Sequence, residues 1–397
     1  MKNIIITGGE LFNKGAQAMT FVAVNELRRL FPEHEIFLLS EMDYARPEHE
    51  KMGYNFRFMG WYPIKFARSQ HNLPLRILCK IKNRREYMKA DSIYTNCEAM
   101  IDVSGYALGS NWSSRNCDRY LDHLEFAQAF HIPVYLMPQS FGPFVFSSEQ
   151  KALDERIRRL LPTAKMIFAR EQEGYDALVN TYGLTNVQLA QDLVLNSKEI
   201  NLARVFERIP DLIIPDILPD SVAVIPNTMN TNVSDAESIQ QLYADIINIL
   251  ISHCKNAYIL SHSGMDAAFC HSLKELFDKD KRVILLDQDF SCLEFNELVK
   301  HFDYCIASRF HSIVHSYKNG IPCIAVGWAT KYHDLLKQFN QEQYMFDVRK
   351  QIASAELADA ISQIEQCYHE ESEIILEKLA AVQEQNVFDI LAAIREQ

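Results

Sequence analysis

The segment DYCIASRFHSIVHSYKNGIPCIAVGWATK, residues 303–331, decides the fold class. Its first apolar run, Tyr304–Ala307, predicts a buried strand that stops at a polar loop. A short amphipathic helix follows and ends at Gly320, and Pro322 opens a second apolar run, Cys323–Val326. This order of strand, loop, helix and strand is typical of a parallel α/β sheet.

The loop of this unit carries residues typical of a binding site. In open α/β sheets, ligands bind beyond the carboxyl ends of the strands, and Ser308, Arg309 and His311 lie at such an end. The N-terminal amides of the following helix also favour an anion there. We therefore expect a small anionic substrate at this loop.

The rest of the chain repeats the alternation of strands and helices in two series. The first covers residues 1–200 and the second 215–365, with a proline-bearing stretch, 196–220, between them. Two such series predict an α/β protein of two Rossmann-like, doubly wound domains facing a cleft. The tail, 354–397, has no Pro or Gly and predicts a helix throughout; its last part, 366–397, is expected either to cross back to the first domain or to mediate other contacts.

Composition argues against several classes of function. The formal net charge of -12 disfavours nucleic acid as a partner. The start, MKNIIITGG, is not typical of a signal peptide, and no apolar run approaches the ~20 residues of a spanning helix. Nine scattered cysteines without a Cys-x-x-Cys pair indicate reduced thiols. We therefore expect a cytoplasmic protein.

A metal site is not expected. His311 and His315 are four residues apart on one predicted helix, which is a spacing that metal ligands use. However, no third ligand with recognisable spacing accompanies them.

Residues from about 45 to 90 depart from the regular alternation. Lysines and arginines are in local excess there and are interleaved with aromatic residues such as Trp61 and Phe66. One interpretation is a partly helical insertion with a solvated face. The other is a mobile flap that attracts an anionic donor or a lipid-linked acceptor.

Polar residues after strands of the first series are candidates for sugar binding. The loop 8–15 is glycine-rich but is neither a P-loop nor G-x-G-x-x-G. Its Asn13 and Lys14 precede a helix and are placed to hydrogen-bond a sugar, although a turn that needs glycine geometry explains the loop equally well. Later candidates are Asn111, Trp112, Gln139 and Ser140. For each of these taken singly, a structural turn is the alternative.

Cationic residues follow strands in both series. Arg170, Arg309 and Lys331 each lie just past a strand end. The planar guanidinium of arginine matches a carboxylate or phosphate. One such residue is usually a surface ion pair, but several in a net-acidic chain favour an anion site. His311 can move a proton near neutral pH, with a structural role as the alternative.

Together these motifs resemble the polysaccharide pyruvyltransferase family over most of the chain. The resemblance rests above all on Ser308-Arg309-Phe310-His311, followed by Gly320-x-Pro322 and Lys331. Further support comes from Gly8-Gly9, Asn13-x-Gly15, Gln139-Ser140-Phe141-Gly142-Pro143, Ala169-Arg170-Glu171 and Gln191-Asp192.

The resemblance implies a fold like that of the GT-B glycosyltransferases and phosphoenolpyruvate as the pyruvate donor. Pyruvate would be placed as a cyclic ketal on two hydroxyls of a cell-surface polysaccharide or its precursor. It implies no cofactor beyond this co-substrate. A lipid-linked acceptor would bring the protein to the inner face of the membrane, as a peripheral association.

The resemblance also assigns roles to residues. His311 and Arg309 are expected to be catalytic. The expected donor-binding residues are Arg170, Ser308, Arg309, Lys331 and His262. The expected acceptor-binding residues are Asn13, Lys14, Asn111, Gln139 and Ser140.

Two other functions stay open. A nucleotide-sugar glycosyltransferase of the same fold commonly carries a glutamate in the helix after this loop, but residues 311–318 contain no acid. A non-catalytic glycan-binding protein with this fold is the second alternative. The sequence does not indicate the acceptor sugar or the oligomeric state.

Overall fold

The structure, a computed structural model, describes residues 2–60 and 92–396. The chain divides into two compact units, of which the first comprises Met1–Pro210 with Gln385–Gln397 and the second Asp211–Glu384. The division at residue 210 falls inside the proline-bearing stretch noted in the sequence. Most of the predicted basic insertion, 61–91, lies outside the described residues.

The first unit is built on a parallel sheet. Its strands are β1 (Asn3–Thr7), β2 (Glu35–Leu39), β3 (Arg57–Met59), β4 (Cys97–Asp102), β5 (Tyr106–Leu108), β6 (Val134–Phe141), β7 (Met166–Ala169) and β8 (Val187–Leu189). They lie in the order β3-β2-β1-β4-β6-β7-β8, with β5 paired to β6. This is a doubly wound order, in which the direction of winding reverses between β1 and β4. Ile4, Ile5 and Ile6 are fully buried, as expected for a strand covered on both faces.

Helices cover this sheet. They are α1 (Lys14–Leu30), α2 (Glu41–Tyr44), α3 (Glu48–Lys51), α4 (Ser114–Ala129), α5 (Lys151–Leu160), α6 (Gln172–Asp176), α7 (Leu193–Asn196) and α8 (Leu202–Val205). Helix α1 begins directly after the glycine-rich loop because the Asn13 side chain accepts hydrogen bonds from the amides of Gly15 and Ala16. Arg28 and Arg29 in its last turn complement the helix dipole.

The second unit has a parallel sheet of its own. Its strands are β9 (Ser221–Ile225), β10 (Asn256–Leu260), β11 (Val283–Leu286), β12 (Tyr304–Ala307), β13 (Cys323–Gly327) and β14 (Met345–Asp347). Their order is β11-β10-β9-β12-β13-β14, so the winding reverses between β9 and β12. The strand–loop–helix–strand unit predicted over 303–331 therefore lies at this reversal. The prediction of two doubly wound α/β domains is confirmed.

Helices of the second unit follow its strands in the same way. They are α9 (Ala236–Ser252), α10 (Ala267–Glu275), α11 (Cys292–Leu298), α12 (Phe310–Lys318), α13 (Thr330–Gln338) and α14 (Ser354–Val382). No helix among the described residues is long and apolar enough to cross a membrane.

The structure differs from the secondary structure predicted from the sequence in several places. The strand predicted to end at Met137 continues as β6 to Phe141, so Gln139 and Ser140 lie on a strand and not in a loop. The strands β3, β5 and β14 were not predicted; each has three residues, too few to show a period.

The prediction of a helix throughout 354–397 was wrong. Helix α14 ends at Val382, and Val387–Glu396 forms 3-10 turns. Asn386 favours this break because its side chain accepts from the Phe388 amide and donates to Glu26 of α1. The last residues accordingly belong to the first unit, where Asp389 pairs with Arg29.

Gly8, between β1 and α1, allows the loops after β1 and β4 to approach closely. Its φ is +71°, and an added Cβ would lie 2.7 Å from the backbone nitrogen of Ser104. We expect Gly8→Ala to lower the free energy of unfolding by more than the about 1–2 kcal/mol that a left-handed alanine costs alone. Chemical denaturation of the purified protein measures this change.

Two other glycines provide controls for this prediction. Gly183 has a φ of +67° and Gly53 has no left-handed φ, and an added Cβ would meet nothing within 4 Å at either position. Gly183→Ala should lower the free energy of unfolding only by the about 1–2 kcal/mol of a left-handed alanine. Gly53→Ala should leave the free energy of unfolding unchanged. Equal losses for Gly8→Ala and Gly183→Ala would show that the close approach does not matter.

Candidate functional site

Arg309 lies at the carboxyl end of β12 and is held by a buried carboxylate. Its Nε and Nη2 donate to the two carboxylate oxygens of Asp266 at 2.8 and 2.7 Å. Asp266 is fully buried, whereas the Arg309 side chain is 15% exposed. The two parallel hydrogen bonds therefore fix the plane of a guanidinium that still reaches the surface.

Asp266 joins three loops of the second sheet. It follows β10, and its Oδ1 also accepts from the amide and the hydroxyl of Thr228, after β9, at 3.0 and 2.9 Å. With Arg309 after β12, this carboxylate has four donors, which compensates for the cost of its burial. The cation predicted to meet an anionic substrate is thus already paired within the protein.

Ser308 lies beneath this loop. Its hydroxyl is hydrogen-bonded to Tyr243, and its carbonyl accepts from Asn227 Nδ2 at 3.0 Å and from the Tyr332 hydroxyl at 2.8 Å. Burial raises the pKa of Tyr332 to about 12, so its phenol remains a donor at neutral pH. Ser308 is fully buried and anchors the loop, and its role in donor binding stays a prediction.

Lys331 and His311 meet at one aromatic ring. The Lys331 ammonium lies 5.2 Å from the centre of the Phe310 ring and 5.7 Å from that of Tyr332, a cation–π arrangement. The His311 ring packs edge-on against Phe310 at 5.5 Å. Because Phe310 directly follows Arg309, three of the four ionisable residues predicted for this unit lie around the loop after β12, and His262 is the exception.

His262 belongs to an inner layer of the same unit. It is buried and packs edge-on against Phe295, with their ring centres 4.8 Å apart. The ring of His315 lies 6.1 Å from it, and His315 Nδ1 is 3.2 Å from Asn296 Oδ1. Among residues 2–60 and 92–396, no group of three His, Cys, Asp or Glu is arranged to hold a metal ion.

The first unit has a buried carboxylate at the equivalent edge of its own sheet. Asp102, at the end of β4, accepts from the hydroxyl of Thr7, the amide of Ser104 and the side-chain amide of Gln139. Burial raises its pKa although these three donors oppose the shift. Gln139 is itself completely buried, so its predicted contact with an acceptor stays a prediction.

Arg170, the cation predicted for the first unit, lies in a network of ion pairs. Its Nε donates to Glu171 at 2.9 Å, its Nη1 to Asp192 at 2.7 Å and its Nη2 to the Ser140 hydroxyl at 2.6 Å. Burial would lower its pKa, but the charges of Glu171 and Asp192 raise it. The network joins three motifs quoted for the family resemblance, namely those that contain Ser140, Arg170-Glu171 and Asp192. The role of Arg170 in donor binding stays a prediction.

The other predicted acceptor residues lie near the same edge of the first sheet. Asn13 is exposed and caps α1, and Lys14 is buried in the first turn of that helix. Asn111 is exposed and lies beside Tyr106, where burial raises the pKa of the phenol and Asn111 opposes that shift. The structure shows where these three lie without testing whether they bind a sugar.

A cavity of about 460 Å³ opens in the first unit. Its walls come from the segments that follow β1, β2, β4 and β5, from β5 itself and from α4. They include Glu10, Glu41, Tyr106, Trp112 and Arg119. Trp112 was named from the sequence, but none of the five residues expected to bind the acceptor lines this cavity. Glu10 and Glu41 were missed; the signal available was an acid just beyond a parallel strand.

Comparison with known proteins gives one family. The model of the family described as polysaccharide pyruvyl transferase matches residues 13–330 of the chain. No curated protein matches it.

Solved structures are similar over nearly the whole chain. A UDP-GlcNAc 2-epimerase from Methanocaldococcus jannaschii has 12% identity and a TM-score of 0.55, with 91% of this chain and 92% of that chain covered. A glycosyltransferase from Rickettsia africae has 12% identity and a TM-score of 0.55, covering 100% and 99%. Medicago truncatula UGT71G1, complexed with UDP-glucose, has 11% identity and a TM-score of 0.54, covering 96% and 93%. At these identities the likeness shows the fold alone, and it confirms the predicted GT-B-like class.

Removing the carboxylate that holds Arg309 should destabilise the second unit strongly. Asp266→Ala leaves a largely buried guanidinium and the Thr228 amide without their acceptor, and we expect a loss of about 3–5 kcal/mol in the free energy of unfolding. Arg309→Ala should also be costly, and the double variant should cost less than the sum of the two. A double-mutant cycle by chemical denaturation measures the coupling.

The exposed pair of His271 and Asp287 provides the control. The ring nitrogen and the carboxylate are also 2.7 Å apart, but the side chains are 50% and 64% exposed. Asp287→Ala should cost less than about 1 kcal/mol. If Asp266→Ala were equally mild, the buried pair would not fix the loop.

His123, in the cavity wall, should make the protein sensitive to acid. Burial lowers its pKa from 6.5 to about 4, so between these values the unfolded chain binds a proton that the folded chain does not. The free energy of unfolding should therefore fall by up to about 3 kcal/mol as the pH drops from 6.5 towards 4. His123→Gln should remove this contribution.

Denaturation of the wild type and of His123→Gln at pH 7 and at pH 4.5 tests this prediction. The stability of the variant relative to the wild type should improve at the lower pH. His49→Gln, at an exposed position in α3, is the control and should not change the pH dependence. The same relative stability at both pH values for His123→Gln would contradict the prediction.

Proposed function

The chain belongs to the polysaccharide pyruvyl transferase family, and on that premise we propose that it transfers pyruvate from phosphoenolpyruvate to a sugar of a cell-surface polysaccharide or its precursor. The product is a ketal that bridges two hydroxyls of the sugar. The observation that carries this proposal is the loop after β12, where Lys331 and His311 contact the Phe310 ring and Arg309, held by Asp266, directly precedes it.

The charges of this loop suit an anionic three-carbon donor. Phosphoenolpyruvate carries a phosphate and a carboxylate, and both need cationic or N–H donors. Arg309 and Lys331 supply two cations, and α12 directs its N-terminal amides to the same place. Because Asp266 already uses Nε and one N–H of Nη2, we assign the donor to the Nη1 side of Arg309.

The reaction balances without a further reactant. C3 of the enol gains a proton, which makes C2 electrophilic. The first sugar hydroxyl bonds C2 and loses its proton, the C2–O bond to phosphate breaks, and the second hydroxyl bonds C2 and loses its proton. The two hydroxyl protons balance the proton on the new methyl group and the one that hydrogen phosphate carries.

His311 is the group that we assign to proton transfer at the donor. It lies one residue beyond Phe310 in the first turn of α12 and is half-buried, so its ring is held beside the loop. An imidazole can give or take a proton near neutral pH, which is what protonation of C3 or deprotonation of a hydroxyl requires. Arg309 would stabilise the charge that passes to the leaving phosphate.

The test is turnover by the purified protein with phosphoenolpyruvate and a panel of free and lipid-linked oligosaccharides. Phosphate release and a pyruvate ketal in the mass spectrum of the glycan should appear together. We expect His311→Ala to reduce turnover by about 10²–10⁴-fold, the usual contribution of a positioned acid or base, with little loss of stability.

Control variants on α13 test whether any substitution of a histidine or lysine near this loop lowers activity. His333 is 58% exposed, and His333→Ala should retain full activity. Lys331→Met should weaken use of phosphoenolpyruvate, whereas Lys337→Met, at an exposed position of α13, should not. An active His311→Ala would remove His311 from the mechanism.

The same assay includes UDP- and GDP-sugars. Transfer from a nucleotide sugar, without ketal formation from phosphoenolpyruvate, would favour the glycosyltransferase alternative. Glycan binding without turnover from any donor would favour a non-catalytic glycan-binding protein.

A further inference from the structure

The cavity of the first unit lies where a doubly wound sheet binds ligands. Gly8 and Ser104, in its wall, follow β1 and β4, the two strands between which the winding reverses. Its volume of about 460 Å³ is in the lower part of the usual range for small-molecule sites, about 300–1,000 Å³. It therefore has room for a sugar residue but not for an extended glycan.

One part of the wall is aromatic and is held in place. The Tyr106 hydroxyl donates to the Gly142 carbonyl at 2.7 Å, which fixes the ring. Trp112 packs against Tyr106 with ring centres 5.5 Å apart, and 37% of the Trp112 residue is exposed. An indole that is fixed on one side and open on the other offers an apolar surface to the C–H face of a pyranose.

Another part of the wall is a carboxylate that makes no hydrogen bond to the described residues. Glu10, directly after Gly8-Gly9, is half-buried, and its pKa is raised by burial and by the charge of Asp43. Asp43 in turn accepts from the Leu11 amide at 3.1 Å, which holds the chain next to Glu10. A carboxylate in this position gains by accepting hydrogen bonds from the hydroxyls of a ligand.

The charge of these groups selects against an anionic ligand. The described wall carries two carboxylates, Glu10 and Glu41, and one arginine, Arg119, so a phosphate or a carboxylate would meet more negative than positive charge. The loop 8–15 also lacks the G-x-G-x-x-G pattern that cradles a dinucleotide. A ligand with many hydroxyls and no charge fits the wall better than a nucleotide does.

We propose that this cavity binds a single neutral pyranose, whose ring packs on Trp112 and whose hydroxyls donate to Glu10 and Glu41. Its identification as the acceptor site rests on the function proposed above. The ligand class is a hexose or an N-acetylhexosamine at the end of the acceptor glycan, and hexuronic acids are disfavoured because Glu10 and Glu41 outnumber Arg119 in the described wall.

Binding can be measured on the full-length protein without any donor. Saturation-transfer NMR with methyl glycosides of hexoses and N-acetylhexosamines should show saturable binding, and methyl glycosides of the matching uronic acids should show much weaker binding. Glu10→Gln should weaken the binding of the neutral glycosides by about 10- to 100-fold, because it replaces charge-assisted hydrogen bonds with neutral ones.

Trp112 and an exposed acid complete the set of variants. Trp112→Ala should abolish the binding, and Trp112→Phe, which keeps an aromatic face, should restore most of it. Glu48→Gln changes an acid that is 84% exposed in α3 and should have no effect. Thermal unfolding of each variant shows whether the fold is retained.

Three results would overturn the proposal. They are the absence of saturable binding by every neutral glycoside, binding that is unchanged in Glu10→Gln and Trp112→Ala, and uronic acid glycosides or UDP binding as tightly as neutral glycosides.

The turnover assay separates this proposal from the proposed function. If glycosides bind at Glu10 and Trp112 but no pyruvate is transferred, the proposed function fails and the sugar site stands. If pyruvate is transferred but Glu10→Gln leaves the KM of the acceptor unchanged, the sugar site fails and the function stands. When the proposed function and the sugar site are both correct, Glu10→Gln should raise the KM for the acceptor. The KM for phosphoenolpyruvate should stay unchanged.

Discussion

A carboxylate buried at the carboxyl edge of a parallel sheet has to receive hydrogen bonds from the strand ends and loops around it, and both units are organised by that constraint. Asp102 and Asp266 are 2% and 0% exposed. Each is far too costly to bury without donors, so the neighbouring strand ends and loops must provide them. In the first unit these donors come from Thr7, Ser104 and Gln139, and in the second from Thr228 and Arg309. The loops that would meet a ligand are thereby fixed before any ligand arrives.

The same constraint changes what the arginines can do. Arg170 has hydrogen bonds from Nε, Nη1 and Nη2 to Glu171, Asp192 and Ser140, whereas Arg309 uses Nε and Nη2 for one aspartate. A guanidinium has five N–H donors in a fixed plane. Arg309 can therefore be oriented by Asp266 through one edge and meet a substrate through another, while Arg170 primarily holds β6, β7 and the loop after β8 together. Within the second unit, substrate binding would rely on Arg309, a cation that is already paired with Asp266 and oriented by it.

The sequence predicts local order well and long-range pairing poorly. Periodicity and strand ends located β12, its loop and α12, because the information lies within a few adjacent residues. The partner of Arg309 is 43 residues away and that of Asp192 is 22 residues away, and nothing in their spacing identifies them. The cavity was missed for the same reason, since Glu10, Glu41 and Trp112 converge only when β1, β2 and β5 are aligned in one sheet. The continuous tail helix failed because Asn386 forms tertiary contacts that outweigh helical propensity.

The electrostatics of the two units differ in a way that matches the two substrates of the proposed reaction. The loop after β12 carries Arg309 and Lys331 and the amides of a helix N-terminus, and the cavity of the first unit carries Glu10 and Glu41 beside one arginine, Arg119. A phosphate ester gains from the first environment and loses in the second, whereas an uncharged polyol loses nothing in either. In a chain with a net charge of -12, the background potential repels an anionic donor everywhere except where cations are concentrated. Selectivity for the position of the donor can therefore arise from charge alone, and selectivity for the acceptor has to arise from shape and from hydroxyl geometry. On the proposed assignments, that difference would account for a donor loop that is recognisable as a short sequence motif and an acceptor cavity whose residues are dispersed along the chain.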